Sequence, residues 1–355
     1  MVTMLECIRR VPQLLEAIRV GRAQTMEGLL RVYPAGTFSE ICLIGSGTSF
    51  TSASTAQFHM EKFCGMRVSV MLPNEFLRAR TWRNPKALHL FISQTGTSSA
   101  LLEALALCRE NGLMNAVMSE RSDTPAASEA SAFVCMGCGR EEYPIRTIGY
   151  STTVCSLMQL GLAIGRANGT LTAEDEARLD EELQGAIASI PEVVNRTLAW
   201  MDGSRRKIMR SRFIAFTGAG SLYGVAMEGA VKIWEGPQYP AAGYELDEGM
   251  HGPNYGYNFN DAVIVLNDGA DGADKALALA RYMKNEHDNG YIFGLGAMDS
   301  RDLAFTPAGG HSCCLEFAAA VQTFMYRLAT DGGRDFRIVD KHEVMYRYFN
   351  SHKQA

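Results

Sequence analysis

Two loops in the first half of the chain have the composition of an anion seat. Ser93-Gln94-Thr95-Gly96-Thr97-Ser98-Ser99 sets five hydroxyl residues and a glycine directly after an apolar run at 88–92. Gly45-Ser46-Gly47-Thr48-Ser49 repeats the theme. Each is followed by helical spacing, so each reads as strand, polar loop, helix N-terminus. Free backbone N–H groups, short hydroxyls and the positive end of a helix dipole together suit a phosphate. Neither loop holds Lys or Arg, so the cradle is one of neutral donors. Helix capping by Thr97 or Ser98 would explain a single such loop. Two in one half favour binding.

The second half carries proton-transfer residues. Glu228, Lys232 and Glu235 recur at i, i+4 and i+7 and share one face of a helix. Spacing alone favours a solvated ion-pair face. Sixteen residues later His251 stands in Gly249-Met250-His251-Gly252-Pro253. The following Gly-Pro ends an element and puts the imidazole on a loop. A Glu and a His together make an acid/base pair suited to moving a proton beside a carbonyl.

These residues need a frame, and the apolar pattern supplies one. Residues 4–32 read as helix. Strands follow at 41–44, 68–71, 88–92, 116–118 and 132–135, with helices to about 64 and over 152–164. A helical stretch at 173–201 separates this from a second series. That series has strands at 213–216, 263–266, 291–295 and 313–317, and helices at 222–234, 273–286 and on to 328. Such alternation implies an α/β fold of two tandem, doubly wound parallel-sheet (flavodoxin-like) subdomains with helices on both faces. Ligands in such sheets bind at the carboxyl ends of strands. The expected divisions are N-terminal helices 1–34, a first domain 35–170 with the anion loops, a linker helix 171–210, a second domain 211–330 with Glu235 and His251, and a tail 331–355.

Neither Gly-x-Gly turn completes G-x-G-x-x-G, because position 50 is Phe50 and position 223 is Tyr223. No dinucleotide or other cofactor is expected. The counterpart of the hydroxyl loop, Asn267-Asp268-Gly269-Ala270-Asp271, has two carboxylates and would repel a phosphate. One anion site per chain is expected.

Bulk properties exclude several classes. The 355 residues carry a net charge of -5, and no basic run exceeds Arg205-Arg206-Lys207, so no nucleic-acid partner is expected. No apolar stretch is expected to reach membrane-spanning length. Glu6, Arg9 and Arg10 break any signal-peptide core. The nine cysteines form no secreted disulfide pattern, and Cys135-Met136-Gly137-Cys138 lacks a second pair at zinc spacing. Reduced thiols, no metal and a cytoplasmic location are the expectation.

Gly47-Thr48-Ser49, Ser93-Gln94-Thr95-Gly96-x-Ser98 and Glu228-Gly229-Ala230-x-Lys232-x-x-Glu235, followed by His251-Gly252-Pro253, resemble the sugar isomerase (SIS) family. The closest groups are the isomerase part of glucosamine-6-phosphate synthase and stand-alone fructoselysine- and glucoselysine-6-phosphate deglycases. The resemblance runs from about residue 35 to 330. It implies that Gly47, Ser49, Ser93, Gln94, Thr95 and Ser98 hold the phosphate of a sugar. It implies that Glu235 moves a proton between C1 and C2 of the open chain, with Lys232 in the site and His251 assisting. It also implies a homodimer or higher homo-oligomer with a shared site. The substrate would be a phosphorylated sugar–amine adduct, released as hexose 6-phosphate and free amino acid. An amino-sugar phosphate deaminase, a ketose/aldose isomerase and a non-catalytic phosphosugar sensor are the alternatives. The absence of Cys at position 2 and of a glutaminase domain argues against the full synthase. The family's Ser-Thr-Lys appears here as Ser151-Thr152-Thr153, leaving Ser151 as a candidate. Lys341 could stand in for the lysine that the synthase tail delivers.

Overall fold

The computed structural model describes all residues except 1, 35, 79–82, 271, 335–346 and 351–355. Its strands form two separate five-stranded, fully parallel sheets. The first takes β1 (Glu40–Gly45), β2 (Arg67–Met71), β3 (Ala87–Ile92), β4 (Asn115–Ser119) and β5 (Ala132–Cys135) in the order β2-β1-β3-β4-β5. The second takes β6 (Phe213–Gly218), β7 (Ala241–Glu245), β8 (Asp261–Asn267), β9 (Gly290–Gly294) and β10 (Leu303–Ala304) in the order β10-β9-β8-β6-β7. Read from the outer strand paired with the first, both orders are 2-1-3-4-5, the flavodoxin-like winding.

The helices are α1 (Met4–Val32), α2 (Thr48–Cys64), α3 (Pro73–Arg78), α4 (Ser99–Glu110), α5 (Pro125–Glu129), α6 (Ile148–Asn168), α7 (Ala173–Ile208), α8 (Ser221–Glu235), α9 (Pro253–Gly256), α10 (Ala273–Glu286) and α11 (Cys314–Asp331). By internal contacts the chain divides into two compact units. One holds the second sheet and takes Met1–Glu16, Glu142–Ser151 and Ala177–Arg334. The other holds the first sheet and takes Ala17–Glu141 and Thr152–Glu176.

The central strands β3, β4, β8 and β9 are buried along their whole length, as parallel strands covered on both faces must be. In the first-sheet unit Ile44, Phe76, Phe91, Leu101, Leu105 and Val117 pack together. In the second-sheet unit Ala215, Val263, Val265, Leu279, Met283 and Ile292 do so.

Three readings change. Residues 313–317 form the N-cap and first turn of α11 rather than a strand. The helix is buried on nearly every side, and a buried helix has no polar stripe to reveal its 3.6 period. β7, Ala-Ala-Gly-Tyr-Glu, has neither an apolar alternation nor a β-branched residue, and only its pairing with β6 defines it. Finally, α6 is long and apolar enough to cross a membrane, with a window of mean hydropathy 1.2. That window is 94% buried within the protein, which makes α6 a core helix.

Candidate functional site

The anion loops leave the first sheet side by side. Gly45 pairs with Ile92 in the β1–β3 register, so Ser46 and Ser93 step off the sheet together. β1 and β3 flank the point where the strand order reverses, the position of the ligand crevice in open parallel sheets. Gly47 caps α2 with φ 56° and ψ −129°, a conformation closed to residues with a side chain. Gly220 caps α8 with φ 55° and ψ −128°. The two halves thus share one turn at the same place in each winding.

Ser93 is buried, and its Oγ accepts the Gly96 N–H at 3.1 Å. Accepting there leaves the Ser93 hydroxyl proton available to donate. Thr95 and Thr97 share a hydrogen bond between their hydroxyls at 2.9 Å. Gln94 Nε2 is buried with no hydrogen-bond partner among the described residues. A buried donor in this state calls for an acceptor. Ser98 stands at the N-cap of α4, yet its side chain makes no capping bond. Capping therefore does not account for its hydroxyl. Ser49 lies in the first turn of α2, half-buried, and its N–H donates to the Ser46 carbonyl at 3.2 Å. The Ser49 contribution is thus its hydroxyl rather than its amide. The loop is braced from below: Ala126 N–H donates to Gly96 O at 3.1 Å, and Glu120 N–H to Gln94 O at 3.0 Å.

One consequence is direct. Ser93→Ala removes a donor to a charged ligand and the tie to Gly96. The expected result is a KM for sugar phosphate raised about tenfold with kcat little changed, one charge-assisted hydrogen bond's worth. Initial-rate kinetics check it, and an unchanged KM would remove the phosphate assignment.

In the second-sheet unit, α8 brings Glu228, Lys232 and Glu235 together. Lys232 Nζ lies 3.2 Å from Glu228 Oε1 and 2.7 Å from Glu235 Oε2. The spacing suggested a solvated face, and the structure overturns this. Lys232 and Glu228 are 0% and 1% exposed, while Glu235 is 40% exposed. The cause is α11, which packs hard against that face. A Cβ on Gly229 would sit 2.9 Å from Val321 Cγ1 and 3.1 Å from the Phe216 ring. Burial pulls the Lys232 pKa down. Burial is the largest single influence, but Glu228 and then Glu235 together outweigh it and leave the pKa above its ordinary value. Arg334 Nη1 donates to the Glu235 carbonyl, closing the end of the helix.

Glu228 is the residue that sequence reasoning undervalued. The signal was available in Gly229-Ala230, since small residues on a helix mark close approach by a neighbour. Nothing in the sequence pointed to Arg334.

His251 is exposed, as its loop position suggested, but it is not brought to Glu235 within the chain. β7 runs parallel to β6 and its last residue, Glu245, pairs with Gly218. His251 follows Glu245 and so lies by the start of α8. Glu235 is the last of the 15 residues of that helix, about 21 Å from its start by helical rise. Ser151 is buried in the first turn of α6. Lys341, like Asp271, lies outside the described residues. Among the described residues no group of three or more His, Cys, Asp and Glu could hold a metal ion.

The family model for the SIS domain matches residues 39–163, the span of the first sheet and its anion loops. The glutamine–fructose-6-phosphate aminotransferase (isomerizing) of Rhizobium meliloti (strain 1021) is 27% identical over 232 residues, covering 65% of this chain. The match spans only 38% of that relative's length. A solved structure from Clostridium difficile 630, provisionally named a phosphosugar isomerase, has a TM-score of 0.90 at 21% identity, covering 100% of this chain and 99% of that one. The C-terminal domain of glucosamine-fructose-6-phosphate aminotransferase from Francisella tularensis has a TM-score of 0.84 at 21% identity, covering 94% and 96%. At these identities the two structures establish the fold. The SIS-domain match lies on the sheet that carries both hydroxyl loops, so residues 39–163 are what this chain shares with that family.

Proposed function

We propose that the chain is a deglycase. It would take a 6-phosphorylated sugar–amine adduct of the fructoselysine-6-phosphate kind and release hexose 6-phosphate and free amino acid. The observation that carries the catalytic part is the half-exposed Glu235 carboxylate held by a fully buried ammonium. Lys232 fixes one oxygen of Glu235 and leaves the other to reach a substrate. The hydroxyl loop of the first sheet supplies neutral donors for the phosphate, and Gln94 Nε2 is already desolvated and waiting.

The chemistry follows. The open-chain ketosamine loses its C1 proton to Glu235 and becomes an enolamine. The same carboxyl returns the proton at C2, giving an aldimine at C1. Water adds to that C=N bond and the amine leaves with a proton, so that one water is consumed per adduct cleaved. His251 would handle protons on the heteroatoms. Its position at the far end of the sheet from Glu235 supports a site completed by a second copy of the chain, so a homodimer or higher homo-oligomer is part of the proposal.

The test is a panel of 6-phosphorylated fructose– and glucose–amino acid adducts, assayed for both products. Release of amino acid and hexose 6-phosphate in equal amounts is the expected result. Release of ammonia from amino-sugar phosphates alone would make the chain a deaminase. A rearranged sugar with no amine released would make it an isomerase.

A further inference from the structure

His251 is exposed to solvent, yet its ring is not free. Its Nδ1 lies 2.8 Å from the carbonyl oxygen of Asp247. A carbonyl accepts and never donates, so Nδ1 is the nitrogen that carries hydrogen in the neutral ring. Nε2 then holds the lone pair, on a residue that is exposed to solvent.

The carbonyl that sets this choice is itself pinned. The N–H groups of Asp247 and Glu248 both donate to one oxygen of Glu245, Oε2, at 2.7 and 3.1 Å. Met250 N–H donates to the Asp247 carbonyl at 2.9 Å, closing a turn of 3-10 helix. Gly249 in that turn lies flat on the end of the sheet: a Cβ there would sit 3.3 Å from both Thr217 Oγ1 and Tyr244 Cβ. Lys275 Nζ grips the Asp247 carboxylate at 2.7 and 2.8 Å, but this pair is more than half exposed and contributes little by itself. Glu245 is the dominant tie, because it ends β7 in register with Gly218 and so joins the turn to the rigid sheet.

We propose that Glu245 is a positioning residue. Its carboxylate caps the turn over 247–250, holds the Asp247 carbonyl against the imidazole, and fixes His251 as the Nδ1–H tautomer with Nε2 as the one nitrogen that exchanges protons. The link to turnover rests on the proposed role of His251, whereas the tautomer stands apart from it.

Long-range proton–nitrogen correlation spectra of histidine-labelled protein, recorded at alkaline pH where the ring is neutral, read the tautomer directly. A His251→Gln sample assigns the signal. The expected pattern is Nδ1–H in the intact protein. Glu245→Ala should move it toward the Nε2–H form that free imidazole prefers. Glu245→Gln, whose amide oxygen can still accept both N–H groups, should retain it. With a turned-over adduct in hand, Glu245→Ala should lower kcat about tenfold while KM stays within about twofold, and Glu245→Gln should recover most of the loss. An Nε2–H pattern in the intact protein overturns the proposal without any variant. So does an unchanged Nδ1–H pattern in Glu245→Ala. If the tautomer behaves as expected while no phosphosugar is turned over, the functional reading fails and the role of Glu245 in the loop stands.

Discussion

Glu235→Gln is expected to lower kcat by at least about a thousandfold while the dissociation constant for a sugar 6-phosphate stays within about twofold, since a general base is lost and no ligand for the phosphate is touched. Glutamine keeps the length and shape of the side chain and can still accept from Lys232 Nζ, which lies 2.7 Å away. What it cannot do is take a proton from carbon. The phosphate donors assigned above belong to the loops after β1 and β3, and Glu235 is not among them. Calorimetric titration with the substrate phosphate and single-turnover rates separate the two quantities. A parallel loss of affinity and rate would place Glu235 among the binding groups. Activity retained in full would end the catalytic reading and favour a sensor, which binds hexose phosphates and has no step for Glu235 to perform.

Much of this architecture is legible in the chain. Gly45-Ser46-Gly47 and Gly218-Ala219-Gly220 mark the two turns, because close approach of strand to helix at Gly45 and Gly218 and positive φ at Gly47 and Gly220 admit only glycine. The alternation of buried runs and amphipathic stretches gives the strands their order and both sheets their class. What escapes is whatever depends on a neighbour distant in sequence. The Glu228–Lys232–Glu235 spacing is the same on a solvated face and on a buried one, and neighbours distant in sequence, such as Val321 on α11 and Phe216 on β6, decide between them. β7 exists because β6 lies beside it. The buried start of α11 hides its period. The separation of His251 from Glu235 depends on β7 running parallel to β6, and the intervening sequence does not encode that direction.

The second large effect concerns stability. Lys232→Met is expected to destabilise the protein by about 3–5 kcal/mol, the usual consequence of leaving one member of a buried pair unpaired. The charge left behind is Glu228, 1% exposed, on a helix pressed against α11. Glu235 is 40% exposed and can turn to water, so it adds little. The double variant Glu228→Gln, Lys232→Met should recover most of the loss, because it removes the orphaned carboxylate along with the ammonium. Acidity supplies an independent check on sign. The folded-state pKa of Lys232 is raised above its ordinary 10.5, so its contribution is complete below that value and is lost as pH rises through the folded one. Denaturant unfolding of wild type and Lys232→Met should therefore differ most below pH 10.5 and converge in stronger alkali, where the wild-type lysine is also neutral. A single variant as stable as wild type would show that the buried ammonium does not hold Glu228. A double variant no better than the single would show that the cost lies in packing rather than in charge.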